Sequence, residues 1–240
     1  MKDRVMSLPA TGFPPGRLVL PLRTGILACL LAAFALPSEG SKESPFGYCG
    51  AWIGQHSGSN RIGKGTAELI APSWAITAAH VAKAKATNPG QRHVQINFGG
   101  HKAGVLKAYL APQGDLALVR LKRPMKAWPK VSLLDKPLTK KDGAVKFTLV
   151  GRAGGLHFHR DRKALGMGLN ARHLTTKKDN PGKSGDSGGA WVIERKDRHV
   201  LFAVIRGGGS GTQPAALRKW IDRTMKGSGE RADWVSLKGK

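Results

Sequence analysis

The sequence predicts an all-β protein of two lobes, closed by one helix near its C-terminus. Three observations carry this. Glycine is abundant, at 32 of 240 residues. The apolar segments are short and separated by Gly, Ser, Asn and Pro clusters. One late stretch places its apolar residues at helical spacing. A chain of this length buries a substantial core within a single domain.

The elements follow in order. Lys2, Arg4, Arg17 and Arg23 precede the apolar run GILACLLAAFAL, and small and polar residues, PSEGSKES, come after it. Basic, then apolar, then small is the pattern of an export signal, expected here over residues 1–38. The run is too short for a comfortable membrane span. The mature protein is therefore expected to be periplasmic or secreted, with no stable span. Cys29 falls inside the signal, which leaves Cys49 alone and without an internal disulfide partner. AWIGQ and TAELIA flank the turn cluster HSGSNRIGKG as a hairpin. SWAITAAH is a strand, and VAKAKA after it a turn of helix. HVQINF, GVLKAYLA and DLALVRL read as further strands. KRPMKAWPK, rich in Pro and Lys, is the boundary between two halves. AVKFTLVG opens the second half, with AWVIE and VLFAVI as later strands. From Pro214, the residues Leu217, Trp220, Ile221 and Met225 share one helical face, with Gly227 beyond the end. The folded domain is expected over 46–226, with lobes of about 46–125 and 131–213, the helix at 214–225 and a flexible tail from 227 to 240.

The formal charge of +25 is extreme, and its basic residues are spread along the chain rather than gathered in a tail. Such a surface favours non-specific acidic partners, including nucleic acid and anionic envelope polymers. Solubility and compartment chemistry account for it equally well.

Three short segments carry chemistry. In GKSGDSGGAW, small residues crowd an Asp–Ser pair. This is a plain turn between strands, or a backbone whose N–H groups at Gly185 and Ser187 are aimed at an oxyanion formed when Ser187 attacks a carbonyl. In TAAH, His80 follows an apolar strand. It is a structural histidine, or the base that a serine hydroxyl needs before it becomes nucleophilic. In GDLALVRL, Asp115 leads a strand of core leucines. It is a turn residue after Gly114, or a carboxylate kept at the edge of an apolar region by an imidazole N–H.

Together, in the order His, Asp, Ser, these motifs resemble the trypsin/chymotrypsin-like serine protease family, in a compact bacterial-type form. The resemblance implies two antiparallel six-stranded β-barrels with a C-terminal α-helix and a site in the cleft between the barrels. It implies catalysis by Ser187 as nucleophile, His80 as general acid and base, and Asp115 as its orienter, with Gly185 and Ser187 forming the oxyanion hole. The enzyme implied is a serine-type endopeptidase acting on polypeptide substrates as a monomer, without cofactor or metal. Gly207, Gly208 and Gly209 would bind an extended substrate by its main chain.

The chain also departs from the pattern. Val81 stands where many members have a cysteine. Members activated by cleavage pair a new N-terminus with the Asp before the serine, but Ile62 lies too near His80 to serve, so Asp186 needs another partner. Where trypsin-like members place an Asp in the specificity pocket, this chain has Pro181, with Asp179 two residues before it. Lys183 and Arg206 could instead favour acidic side chains, or could be ordinary surface charge. In HFHR, His157 and His159 at alternate spacing suggest a metal pair; without a third ligand nearby, a solvated loop is the preferred reading. The alternative function is a protease-fold binding protein that uses its cationic surface on polyanions.

Overall fold

The computed structural model describes residues 44–55, 62–87, 94–152, 154–165, 173–176, 182–207 and 209–237. The segment expected to be an export signal lies outside these residues, as do Asp179, Pro181 and Gly208.

The N-terminal lobe is built from β1 (Cys49–Gln55), β2 (Ile62–Ala71), β3 (Trp74–Thr77), β4 (Gln95–Phe98), β5 (His101–Leu110) and β6 (Ala117–Leu121). They close a barrel in the order β1-β2-β3-β6-β5-β4. Helix α1 (Ala79–Thr87) follows β3. Alternation sets the inner face: in β4, Ile96 and Phe98 are buried while Gln95 and Asn97 are half-buried. Residues 65–71 of β2 are buried without alternation. Successive side chains of a strand point to opposite faces, so both faces of β2 are covered, and Thr66 meets the second lobe through its bond to Gly185.

Residues 122–130 cross between the lobes. Met125 donates its N–H to the Pro72 carbonyl at 2.7 Å, and Trp128 donates its indole N–H to the Gly47 carbonyl at 2.8 Å. The second lobe contains β7 (Ser132–Leu134), β8 (Ala144–Gly151), β9 (His157–Leu165), β10 (His173–Thr176), β11 (Ala190–Glu194), β12 (His199–Gly207), β13 (Ser210–Thr212) and β14 (Trp234–Val235). These form an eight-stranded sheet in the order β11-β8-β9-β10-β13-β12-β7-β14, and β11 pairs back onto β12. The six strands β11-β8-β9-β10-β13-β12 all pair antiparallel and curl back on themselves through β11 on β12, as expected of the second barrel, and β7 and β14 are two further strands added beyond β12. Both of these pair in parallel, β7 on β12 and β14 on β7. Phe147, Trp191 and Phe202 pack as a ring cluster in its core.

The helix forms as a 3-10 turn, Pro214–Leu217, continuing into α2 (Arg218–Lys226), with Leu217, Ile221 and Met225 buried. The flexible tail expected after residue 227 is corrected as far as Leu237. Glu230 accepts the Ser73 N–H at 2.8 Å, Asp233 accepts the Ser132 hydroxyl at 2.6 Å, and Ala232 is buried. The segment has its own hydrogen bonds to make, and β7 is the strand that makes them.

Glu68 is fully buried opposite Cys49 in the β1–β2 pairing, and neither carboxyl oxygen has a hydrogen-bond partner among the described residues. Burial pushes its carboxyl well above the ordinary range, against the opposing pull of the Cys49 thiol and the Arg152 guanidinium. The folded state keeps a proton that the unfolded chain releases near the ordinary glutamate value, so stability falls as pH rises above that value. Glu68→Gln, neutral at every pH, is expected to raise the Tm at pH 7 and to leave it nearly unchanged at pH 4. Thermal melts at the two pH values check this.

Candidate active site

His80 is the second residue of α1, on the first turn after the buried Ala78, whose carbonyl accepts the N–H of Val81 and Ala82. Asp115 sits in the loop between β5 and β6, closed by an Ala111 N–H to Leu116 carbonyl bond at 2.9 Å. Asp115 Oδ1 accepts the His80 backbone N–H at 2.9 Å, and Oδ2 lies 2.7 Å from His80 Nδ1. A carboxylate only accepts, so Nδ1 carries the ring proton and Nε2 is left with its lone pair. The histidine side chain is 49% exposed and the aspartate 16%. Burial acts to raise the Asp115 carboxyl. The hydrogen bonds from His80 and the charges of His80 and Arg206 outweigh it, holding the group below the ordinary carboxylate range.

Two consecutive turns that share Asp186 carry the chain through Ser187, which lies in the second. The Asp186 N–H bonds to the Lys183 carbonyl at 3.0 Å, and the Gly189 N–H bonds to the Asp186 carbonyl at 2.8 Å. Gly185 (φ 103°) and Gly188 (φ 91°) occupy the third position of each turn. A type II turn needs positive φ there, which explains the spacing of glycines around the serine. The Gly188 N–H and the Gly189 carbonyl are bound to Ile205, so the turns are riveted to β12. Among the described residues, neither the Gly185 N–H nor the Ser187 N–H has an acceptor.

Arg206 joins the two halves of the site. It is a bulge residue: Ile205 pairs with Gly211 and Gly207 with Ser210, leaving Arg206 between them without a partner in β13. A bulge re-aims its side chain. Here the guanidinium Nε reaches to 4.0 Å from Asp115 Oδ2, and the carbonyl accepts from Ser187 Oγ at 3.5 Å. His80, Gly114, Asp115 and Arg206 line one open cleft. Gly65 lets α1 and the serine turn approach, since a Cβ there would lie 2.6 Å from Val81 Cγ1 and 3.4 Å from the Ser187 carbonyl oxygen. The structure therefore couples His80 to Asp115, and Arg206 meets Asp115 with its side chain and Ser187 with its carbonyl. The Ser187 hydroxyl bonds to the Arg206 carbonyl, not to His80.

Of the other residues considered from the sequence, Lys183 is exposed and its backbone N–H is bound to Asp186 Oδ2 at 2.6 Å. The Gly207 carbonyl accepts from Ser210 Oγ at 2.7 Å, and Gly209 (φ 71°) lies in the turn before β13. The solvated-loop reading of HFHR is corrected: residues 157–160 open β9, and His157 is paired with Asp186. Among the described residues, no group of three His, Cys, Asp or Glu is placed to hold a metal ion.

One residue escaped the sequence reading. Thr66, fully buried in β2, donates its hydroxyl to the Gly185 carbonyl at 2.9 Å and accepts the Arg152 N–H at 3.1 Å. Its own N–H bonds to the Ser187 carbonyl at 2.8 Å, and its carbonyl accepts the Thr77 hydroxyl at 2.6 Å. It grips the carbonyls of both residues whose N–H groups point free.

A closed barrel, a curled sheet and a C-terminal helix define a chymotrypsin-like fold. The Trypsin family model matches residues 47–219, and the chain belongs to that family. Among solved structures it is similar to the scabies mite inactivated protease paralogue S-I1, with a TM-score of 0.60 and 17% identity, over 79% of this chain and 99% of the paralogue. At that identity the likeness is one of fold. No curated protein sequence matches the chain.

Thr66→Val keeps the shape but removes the hydroxyl that bonds to the Gly185 carbonyl and accepts the Arg152 N–H. Denaturant titration is expected to show a loss of about 1–3 kcal/mol.

Proposed function

We propose that the protein is a serine endopeptidase that hydrolyses peptide bonds through an acyl-enzyme intermediate. The observation that carries this reading is the bidentate hold of Asp115 on His80, which leaves Nε2 basic, together with a serine flanked by two uncommitted N–H groups. Rotation about the Ser187 Cα–Cβ bond moves the hydroxyl from the Arg206 carbonyl towards the imidazole; catalytic hydrogen bonds are often looser before substrate binds. His80 Nε2 then takes the hydroxyl proton as Oγ bonds to the scissile carbonyl carbon. The Gly185 and Ser187 N–H groups receive the oxyanion. The imidazolium, stabilised by Asp115, returns the proton to the departing amine, and an ester to Ser187 remains. Water activated by the same Nε2 attacks that ester and frees the carboxylate product.

Arg206 supports a preference for acidic side chains in the substrate, because its cation lines the cleft beside the reacting groups. Lys183 is the weaker candidate, its side chain lying on the exposed face of the loop.

A serine-directed fluorophosphonate probe is expected to label Ser187 in the folded protein and to leave Ser187→Ala unlabelled. Mass spectrometry of the labelled peptide checks both, and no labelling of folded wild type would sink the reading. A mixed-peptide digest compared between wild type and Arg206→Ala is expected to lose its enrichment for Asp and Glu near the cut. An unchanged cleavage pattern would remove Arg206 from specificity.

A further inference from the structure

Asp186 is buried to 1% side-chain exposure, directly before the serine. Its Oδ2 accepts the Lys183 N–H at 2.6 Å and lies 3.0 Å from His157 Nε2. The other ring nitrogen, Nδ1, lies 3.2 Å from the Gly155 carbonyl oxygen. Both partners only accept. A neutral imidazole has one N–H to give and an imidazolium has two, so the two bonds form together only on the cation. Gly151, which pairs with His157 across β8 and β9, makes the space: a Cβ there would collide with the Asp186 carboxylate.

The consequences reach Ser187 through the main chain. Asp186 gives its N–H to one turn and its carbonyl to the next, and its side chain ties back to Lys183. These are the two turns that aim the Gly185 and Ser187 N–H groups. A carboxylate this buried is costly without a cation beside it. Charged and titratable groups around the imidazole are Asp186 and Lys183 on the serine loop, Arg152 at the end of β8, and His159 and Arg162 along β9. Arg152 turns its guanidinium to the Cys49 carbonyl at 2.9 Å. The His159 ring centroid is 5.8 Å from that of His157. Burial, then the positive charges of His157, Arg162 and Lys183, hold His159 below the ordinary imidazole range, with Asp186 opposing.

We propose that His157, as an imidazolium, is a positioning residue that fixes Asp186 and thereby the oxyanion turn around Ser187. The inference rests on the hydrolase reading for its effect on rate, but not for its effect on the loop. The counter-cation comes from within β9, so the turn orders without a processed N-terminus, and it loosens when the ring loses its proton.

The test compares wild type, His157→Gln (a donor without charge), His157→Lys (a permanent cation) and the distant control His101→Gln. Amide hydrogen exchange of residues 182–189 is followed from pH 5 to pH 9, corrected for the intrinsic rate. Protection in wild type is expected to fall between pH 5 and pH 9, to be low throughout in His157→Gln, and to persist to pH 9 in His157→Lys. Fluorophosphonate labelling of Ser187 is expected to drop on the order of 100-fold in His157→Gln, the scale of losing an oxyanion donor. With a peptide substrate the loss should fall in kcat rather than KM, and His101→Gln should match wild type. Wild-type protection and labelling in His157→Gln, or protection in wild type that ignores pH, overturns the proposal. If His157→Gln fails to fold, the wild-type pH series and His157→Lys decide it. Unlabelled wild type with the expected exchange pattern would sink the hydrolase reading while sustaining the role of His157 in the loop.

Discussion

The hydrogen bonds of Thr66 set the geometry on which the site depends. A single residue of the first barrel holds the carbonyls of Gly185 and Ser187, which belong to the second lobe. Peptide groups are rigid planes, so fixing carbonyls on alternate residues limits how the N–H groups between and before them can turn. The same residue is tied to β3 through Thr77, and β3 runs straight into α1 and His80. Nucleophile turn and base are therefore referenced to one point. The cleft between the lobes is held in register by buried bonds and not by loop packing alone.

Charge is distributed around this point with economy. Asp115 and Asp186 each face an imidazole, His80 or His157. Their surroundings separate them. Asp115 and His80 are open to the cleft, where a proton can come and go, whereas Asp186 is sealed behind Gly151 and the serine loop. One pair is open to the cleft, and the other ties the serine loop to β9. The likeness to an inactivated mite paralogue shows that a fold does not guarantee turnover, so the weight falls on side chains and their geometry.

Much of this was legible in the sequence. Alternation and turn residues located most strands, and the helical face of Leu217, Ile221 and Met225 is buried as its spacing requires. Strands β7 and β14 were not legible: they are three and two residues long, and they pair in parallel across some hundred positions of chain. No local signal encodes such a partner. Thr66 looks like any hydroxyl in a strand, because its partner lies 119 residues away. The glycines around it, in GKGTAEL, were the available hint of close backbone approach. His157 was visible as a histidine but not as a counter-ion, since the sequence does not show that β9 begins beside Asp186. Arg206 was singled out for its charge, but the bulge that turns it into the cleft is a property of the hairpin register.

The pairing of β14 on β7 has a bearing on how the chain reaches its final form. The first barrel needs nothing beyond residue 121 to close its ring of strands. By contrast, Leu133 of β7 and Asp135 just after it give their N–H groups to the carbonyls of Asp233 and Val235, far later in the chain. An early lobe can condense while the polypeptide is still growing, but the outer edge of the late lobe waits until residues 233–235 have been made. Until then that edge is an open ladder, and whatever shields it in the cell governs how much of the protein matures.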